Sequence, residues 1–454
     1  MNLVYGIKDR PSFGKTILFA LQQLLAIMAA TIAVPAIVGN GMSQTAALFG
    51  AGVGTLVYLI FTKFRSPVFL GSSFAFLGSM AAAFAGGVSM QLGYLGLILG
   101  ALFAGLVYVV IAVVVKLCGV RWINKIMPAV VIGPTVAIIG LSLAGNAIGD
   151  LFSGGIKVDG ASVCSPYVAL ICGLVTLAVT MLCSVYGKKM LKMIPFIIGI
   201  LAGYVLAAIF TAIGNATGND AFRVINFSLF KDIAWVPGFT FLTASKGFAE
   251  ITGSYVATIA VAYIPVAFVV FAEHIADHKN LSSIVGTDLL EEPGLHRTLL
   301  GDGIGSFAGA LFGGCPNTTY GESIGCVAIS GNASVVTILT TAILAIVISF
   351  FGPFATFLAT IPSCVMGGVC IALYGFIAVS GLKMLQKVDL NDNRNLFVAS
   401  VILIAGVGGM TLSFGSVTIT EVACALILGI LANVMLSGKK KEEKEAEEKA
   451  EAQE

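Results

Sequence analysis

The sequence predicts an all-α polytopic membrane protein of fourteen transmembrane segments, arranged as a seven-plus-seven inverted repeat. Three observations predict this class. Hydrophobic residues make up 58% of the 454-residue chain and charged residues 11%, whereas soluble domains carry about 25% charged residues. The hydrophobic residues fall in runs of roughly 20, the length that a helix needs to cross a bilayer. Two broken runs lie at corresponding positions of the two halves, which is typical of secondary transporters.

Fourteen apolar runs define the segments, in chain order. The third and tenth are short and interrupted by polar residues, and we expect short extended pieces in them. The limits of the runs are 14–35, 45–62, 67–85, 93–115, 124–148, 166–186, 193–213, 252–275, 298–313, 316–330, 333–351, 357–382, 395–411 and 417–436.

The positions of Lys and Arg test this count, because cytoplasmic loops carry the excess of positive charge. With residue 1 inside, 21 of the 25 Lys and Arg fall in cytoplasmic loops or in the tail. Only Lys157, Arg223, Lys231 and Lys246 fall outside. We therefore predict a multi-pass protein of the cell membrane with both termini in the cytoplasm. Residues 1–15 lack the apolar core of a cleavable signal peptide, so the first segment is expected to stay in the chain.

Three short motifs recur after a shift of seven segments. Because seven is odd, the second half must be inverted relative to the first in the membrane. The matching pairs are residues 127–133 (MPAVVIG) with 361–367 (IPSCVMG), 33–36 (AVPA) with 263–267 (YIPVA), and 66–74 (SPVFLGSSF) with 315–323 (CPNTTYGES).

The repeat divides the chain into four parts. The first inverted repeat covers 1–213 and the second covers 251–436, with a polar linker over 214–250 between them. Residues 437–454 form a charged cytoplasmic tail. The net charge of +2 implies no nucleic-acid partner, and nine Cys without a CxxC pair imply no disulfide framework.

The stretch 314–325, GCPNTTYGESIG, is too polar and too rich in Gly for an ordinary membrane helix. Irregular backbone at membrane depth survives only where protein or a water-filled cavity covers it. Glu322 is therefore a candidate functional residue. Residues 66–72 and 316–320 each read as an extended piece before a helix start, whose free N–H groups would point at a shared polar site.

A second candidate site lies at 272–280, AEHIADHKN. Glu273 and Asp277 are four residues apart and share one face of a helix. Two carboxylates on one face repel each other when both are ionised. A carboxyl that gains and loses a proton is what proton coupling requires. The alternative is that Asp277 and His278 are loop residues beyond the membrane edge.

Other polar residues in the segments have alternative interpretations. Asp302 is either a functional carboxyl that supports the site or a capped loop residue, and Glu421 is expected to be structural or interfacial. Tyr374 alone would be a packing residue. The run HIADH also resembles an inverted zinc-protease motif, but Asp replaces its Glu and His296 is the only other His in the chain. We expect no metal and no cofactor.

The motifs PNTTYGE, FLGSSFAF, AEH and GLHR resemble the nucleobase-ascorbate transporter family, in particular its bacterial uracil-transporting members, over nearly the whole chain. The resemblance implies a transporter, not an enzyme, that imports uracil together with a proton by an elevator-type movement. It further implies a core domain (segments 1–4 and 8–11) that carries substrate against a gate domain (segments 5–7 and 12–14). Expected partners are uracil or a related nucleobase, protons, the bilayer and, optionally, a second copy bound through the gate domain.

The resemblance also implies roles for individual residues. Glu273 and Glu322 would hydrogen-bond the pyrimidine, and Glu273, Asp277 and Asp302 would serve proton coupling. The remaining implied substrate contacts are the backbone around Phe74, Tyr320 and Gly321, packing by Ala30 and Tyr320, and Tyr374 from the gate side.

Two alternatives stay open on these residues. Asp277 stands where uracil-transporting members carry His, which is similar to the purine-transporting members and favours a xanthine or purine:proton symporter. Those members usually lack Glu at the position of Glu322, which favours uracil. An anion exchanger or channel of the same architecture is the other alternative, although two central carboxylates would repel an anion.

Overall fold

The structure is a computed structural model that describes residues 3–451 except 120–127, 155, 159–160, 189–190, 192–193, 232, 387, 415–416 and 420. The elements of the first half are α1 (Phe13–Val38), α2 (Gln44–Phe61), β1 (Leu70–Ser72), a 3-10 turn (Phe74–Phe76), α3 (Leu77–Ala83), a second turn (Ala85–Gly87), α4 (Met90–Cys118), α5 (Ala129–Ser142), α6 (Ala144–Leu151), β2 (Lys157–Val158), β3 (Ala161–Ser162), α7 (Pro166–Tyr186) and α8 (Pro195–Thr217).

The linker contains short turns and one short helix, and the second half follows it. These elements are, in chain order, the turns Asp220–Phe222 and Phe227–Lys231, α9 (Thr240–Ala244), the turn Ser245–Glu250, α10 (Gly253–Val285), the turn Leu290–Gly294, α11 (Leu295–Gly313), β4 (Asn317–Thr319), α12 (Gly321–Ser330), α13 (Val335–Ile348), α14 (Gly352–Thr360), α15 (Ser363–Leu385), α16 (Asn393–Val407), β5 (Leu412–Phe414), β6 (Val417–Ile419) and α17 (Glu421–Glu451).

Local sequence explains where several of these helices begin and end. Ser43 and Ser89 each accept a hydrogen bond from a backbone N–H in the first turn of α2 and of α4, at 3.1 Å in both cases. Thr252 caps α10 in the same way. Gly314 and Gly331 end α11 and α12 with positive φ, a conformation that glycine adopts without strain.

The all-α membrane fold class is confirmed. Within the described residues, eight helices are long and apolar enough to cross a membrane, and a ninth span results if α13 and α14 form one crossing bent by 84°. Three shorter apolar stretches, Phe74–Gly87, Asn393–Val407 and Glu421–Leu436, add to these. The total of fourteen crossings remains a prediction.

The sequence motifs that recur occupy equivalent structural positions. Pro35 lies inside α1 and Pro265 lies inside α10. Pro128 and Pro362 each stand directly before a helix, α5 and α15. Met127, the first residue of its motif, lies outside the described residues. The third pair of motifs forms β1 and β4, which confirms the extended pieces predicted in the third and tenth segments.

Two sets of helices pack mainly among themselves. One set consists of α1, α2, α4, α10, α11 and α13, and the other of α5, α7, α8, α15, α16 and α17. In the first set the backbones of α2 and α11 nearly touch, because Gly50 faces Gly309 and Gly54 faces Gly305. Small residues allow this close approach between membrane helices.

Three element limits differ from those the sequence predicts. The eighth segment ends at Val285 instead of residue 275, because its last turns bury His274 and His278 in the protein interior. The predicted segment 357–382 is two helices, α14 and α15, that are separated at Pro362. The predicted segment 124–148 is broken between α5 and α6, and its first residues lie outside the described ones.

Candidate functional site

The two extended pieces form a small antiparallel ribbon in the middle of the first helix set. Leu70 pairs with Thr319, Gly71 with Thr318 and Ser72 with Asn317. The ribbon continues on both sides, since Ser73 N donates to Pro316 O at 2.8 Å and Tyr320 N donates to Phe69 O at 3.2 Å. All six strand residues are buried. The pairing is antiparallel, as two inverted halves require.

The ribbon is anchored to the surrounding helices by buried side chains. Thr55 of α2 accepts a hydrogen bond from Leu70 N at 2.9 Å, and Asn317 Nδ2 donates to Gly50 O at 3.2 Å. Gln23 of α1 donates to the Ser323 side chain and carbonyl, and Phe69 N donates to Ser323 Oγ at 3.3 Å. Ser323 therefore ties α1 and the ribbon to the first turn of α12.

Each strand leads directly into a helix start. Phe74 follows β1 and opens a 3-10 turn before α3, and Tyr320 stands directly before α12. The first backbone N–H groups of a helix have no partner within it and carry a partial positive charge. Tyr320 is fixed by its hydroxyl, which donates to Ser72 O at 2.8 Å. Its ring lies so close to Gly71 that a Cβ there would overlap it.

A cavity of about 380 Å³ lies against the ribbon and both helix starts. One wall comes from the first helix set and is polar, with Ser73, Glu273, Asp277, Thr318, Thr319, Tyr320, Gly321 and Glu322, besides Phe74 and Ala75. The opposite wall comes from the second helix set and is entirely apolar, with Val136, Ile139, Phe196, Leu373, Phe376, Ile377 and Met384. The cavity can thus hold a small flat ligand, polar at its edge and apolar on its face.

The cavity brings together six of the predicted site residues: Glu273, Asp277, Glu322, Phe74, Tyr320 and Gly321. Asp277 lies inside α10, so the alternative that places it in a loop is wrong. Its Oδ2 accepts a hydrogen bond from Thr319 Oγ1 at 2.7 Å, which links α10 to the ribbon. Sequence reasoning missed this contact and the whole apolar wall.

Three predicted residues lie outside the cavity. Ala30 of α1 is buried. Tyr374 is also buried and contacts the Phe74 ring edge to face, with ring centroids 6.0 Å apart. Tyr374 therefore contacts Phe74, which lines the cavity, but does not line the cavity itself. Asp302 is fully buried in α11, and its Oδ2 lies 2.7 Å from His274 Nδ1.

A second polar network, which sequence reasoning also missed, lies on the face of α10 that points away from the cavity. The His274 and His278 rings stack with centroids 4.1 Å apart. His274 Nε2 lies 2.9 Å from Thr298 Oγ1, and His278 Nδ1 donates to His274 O at 2.8 Å. His278 Nε2 lies 2.7 Å from the Tyr58 hydroxyl. All four ring nitrogens thus have hydrogen-bond partners within the protein.

Comparison with known proteins relates this chain to membrane permeases. The profile of a permease family matches residues 14–414. A uracil permease of Bacillus caldolyticus is 41% identical over 441 residues, which cover 96% of this chain and 95% of the relative. A uracil permease of Bacillus subtilis (strain 168) is 38% identical over 98% of this chain and 97% of the relative.

The solved structures show similarity of fold. The transmembrane domain of a cyanobacterium bicarbonate transporter, BicA, superposes with a TM-score of 0.64 at 17% identity, over 94% of this chain and 99% of that domain. The murine anion transporter Slc26a9 in its inward-facing state superposes with a TM-score of 0.63 at 13% identity, over 95% of this chain and 69% of that one.

Proposed function

This chain belongs to the permease family, whose members are transporters, and we propose that it imports uracil together with a proton across the cell membrane. The observation that carries the proposal is the cavity in which Glu273 and Glu322 face two helix starts. The names of the relatives at 41% and 38% identity support the substrate. The family and the apolar spans support a multi-pass membrane protein.

Uracil matches the polar wall of the cavity. Its ring offers two N–H donors and two carbonyl acceptors, whereas a carboxylate only accepts and a backbone N–H only donates. Glu273 and Glu322 accept the N–H groups in our proposal. The N–H groups around Phe74 and Gly321 then meet the carbonyls. Tyr320 and Ala30 pack near the ring in our proposal, and Tyr374 holds Phe74 in place.

The apolar wall suits the faces of the same ring. Phe196 and Phe376 come from α8 and α15, which belong to the second helix set. A flat heterocycle gains from contact with aromatic faces, whereas a small inorganic anion does not. Together with the two carboxylates, this wall speaks against the anion-exchanger alternative. Measuring whether bicarbonate, sulfate or chloride displaces uracil tests it directly.

Proton coupling rests on carboxyls at the cavity. Glu273 and Asp277 lie one turn apart on the same face of α10 and both line the cavity. Protonation turns a carboxylate from an acceptor into a donor, so it changes how Glu273 matches the substrate. Asp302 acts indirectly in our proposal, because it forms a hydrogen bond with His274, the residue after Glu273, and so helps to fix the position of α10.

We assign the two helix sets to the two moving parts. The set with the ribbon is the core that carries uracil, and the set with the apolar wall is the gate. The cavity is lined by the last half of α15 and the first turn of α8, the ends predicted to be cytoplasmic. The conformation is therefore inward-facing in our proposal. Both termini are cytoplasmic, and a homodimer would form through the gate.

Replacing Asp277 by Asn tests the coupling. The amide oxygen still accepts the Thr319 hydrogen bond, but the side chain no longer takes up a proton. We expect uracil binding within about threefold of the unmodified protein and uptake into proteoliposomes that no longer responds to an inward proton gradient. Thr319→Val is the matched control, since it removes the same hydrogen bond and keeps the carboxyl. Uptake by Asp277→Asn that still follows the gradient would exclude Asp277 as the coupled group.

Replacing Gly71 by Ala tests the position of Tyr320. The added Cβ overlaps the Tyr320 ring, so the ring and its bond to Ser72 O must shift. We expect the dissociation constant for uracil, measured by calorimetry, to rise about tenfold. Gly325 lies in α12, the helix that follows Tyr320, and has open space around it, so Gly325→Ala should leave affinity unchanged. Equal affinities in the two variants would contradict a substrate-contacting Tyr320.

The choice between uracil and a purine is settled by a thermal-shift panel. A ligand that binds only the folded state raises the apparent stability by an amount that grows with the ratio of its concentration to its dissociation constant. We expect uracil to raise the unfolding temperature of the purified protein more than xanthine, hypoxanthine or urate at equal concentration. A larger shift with xanthine would favour the purine alternative that Asp277 suggests.

A further inference from the structure

A second, much smaller pocket lies behind the main cavity. It has a volume of about 20 Å³, room for about one water molecule. Phe74, Ala75 and Ile139 line both the pocket and the cavity, so these three side chains form the partition between them. The pocket lies further along α5 than the cavity does, because Ser142 and Leu143 line the pocket whereas Val136 lines the cavity. We name it the outer pocket, because that side is extracellular in the predicted topology.

Glu421 is the only ionisable side chain that lines the outer pocket among the described residues. It is half-buried and opens α17, directly after the β5–β6 hairpin, whose strand β6 packs on α10. An acidic residue in the first turn stabilises a helix by itself. Stabilising the start of α17 does not, however, require the Glu421 side chain to line a pocket that α10 also lines.

The core side of the outer pocket includes Val266 of α10. Val266 and Glu273 are seven residues apart, so they lie on the same face of this helix, two turns or roughly 10 Å apart along its axis. Glu273 therefore lies about two turns closer to the predicted cytoplasmic side than Val266, the α10 residue that shares the outer pocket with Glu421 in this conformation. Glu421 belongs to the helix set that we assign to the gate, whereas Glu273 belongs to the core.

From this geometry we propose that Glu421 is the external proton-loading partner of Glu273; the inference rests on the proposed proton-coupled elevator. When the core moves outward by about two turns, Glu273 takes the place of Val266 opposite Glu421. Two facing carboxylates in a protein interior cannot both stay ionised, so the pair takes one proton from an external hydronium ion and leaves a water. When the core returns inward, the pair separates, and the proton passes from Glu273 to Asp277, one turn further along α10, and from there to water in the cytoplasmic cavity.

Few other titratable groups face Glu421. Cys424 lies one turn along α17. On α10, Glu273 is the carboxyl on the face of Val266, two turns away. Tyr263 of α10 points elsewhere, since its ring stacks on Phe76 at 5.5 Å. The pocket residues contributed by α3 and α5 carry no charge. Arg394 of α16 bonds Asn433, three turns along α17 from Glu421. Among the described residues that line the outer pocket or face it from these elements, a carboxylate partner for Glu421 can therefore come only from the moving core.

The test is the dependence of uracil uptake on external pH. Proteoliposomes at fixed internal pH are loaded with the unmodified protein, Glu421→Gln, Glu421→Asp or Glu250→Gln, and KM for external uracil is measured over a range of external pH. Glu250 is an exposed acid of the linker and serves as the matched control. Uracil affinity in detergent is measured in parallel to verify folding.

We expect KM of the unmodified protein to rise at least tenfold from acidic to alkaline external pH. Glu421→Gln should show a nearly constant KM while keeping its affinity in detergent within about twofold, and Glu421→Asp should restore most of the dependence. Glu421→Gln with the full pH dependence overturns the inference and leaves proton coupling intact. An unmodified protein whose KM ignores external pH overturns the coupling itself, and the inference with it.

Discussion

Replacing Glu322 by Ala is expected to abolish detectable uracil binding. The carboxylate lines the cavity in the first turn of α12, where it can accept a hydrogen bond from a pyrimidine N–H. A hydrogen bond to a charged group contributes about 1.5–3 kcal/mol, which corresponds to roughly 10- to 150-fold in affinity. Removal also leaves the bound N–H buried without an acceptor, which adds a desolvation penalty of about 1–3 kcal/mol. The combined loss of about 2.5–6 kcal/mol corresponds to an increase of roughly 70-fold or more in the dissociation constant.

Calorimetric titration of purified Glu322→Ala, Glu322→Gln and Glu250→Gln separates this effect from misfolding. Gln keeps the volume and one acceptor oxygen, so it should bind uracil with an intermediate affinity. Glu250→Gln changes an exposed carboxyl of the linker and should match the unmodified protein. If Glu322→Ala binds uracil within fivefold of the unmodified protein, the cavity described here does not hold the substrate in the proposed way.

Replacing Gly54 by Ala is expected to destabilise the whole core helix set. A Cβ at this position of α2 would overlap the Asn317 side-chain nitrogen and lie 2.7 Å from Gly305 O. Both neighbours are fixed, since one is backbone and the other anchors the ribbon through Gly50 O. Overpacking a rigid interface costs about 1–3 kcal/mol or more. The helices must separate, and the ribbon loses its anchor at the same time.

The measurement is the thermal unfolding temperature in detergent, with and without uracil. We expect Gly54→Ala to unfold at a temperature several degrees lower, since each kcal/mol lowers it by at most about 2–4 °C in a chain of this size, and to respond weakly to uracil. Gly149→Ala is the control, because nothing lies within 4 Å of its added Cβ in α6. Equal unfolding temperatures in the two variants would mean that α2 and α11 are not held as closely as described.

The features that sequence predicts best are those with a local chemical signature. The broken stretch at 314–325 and its echo at 66–74 carry polar residues where an ordinary span has none, and they do form the ribbon. Glu273, Asp277 and Glu322 stand out as carboxyls in apolar surroundings, and all three line one cavity. A charge or a backbone break inside a membrane needs a partner, so such residues are recognisable one at a time.

The features that sequence cannot predict depend on contacts between distant parts of the chain. The partner of His278 is Tyr58, 220 residues away, and nothing near either residue indicates the other. Phe196 and Phe376 face the cavity, yet in the sequence they resemble residues that face lipid. Asp302 shows the opposite case. Its carboxyl stands out in the ninth segment, but its orientation toward His274 instead of the cavity depends on how α11 packs.

The ribbon has a consequence for synthesis of the chain. The carbonyl of Ser72 accepts a hydrogen bond from the hydroxyl of Tyr320, a residue that is synthesised 248 positions later. At about 5–20 residues per second, a ribosome needs roughly 12–50 s to bridge that interval. Throughout this time β1 has no strand partner, and unpaired backbone is unfavourable in hydrocarbon. We expect newly made first halves to hold this segment near water or against a chaperone, so the substrate site is among the last parts of the protein to mature.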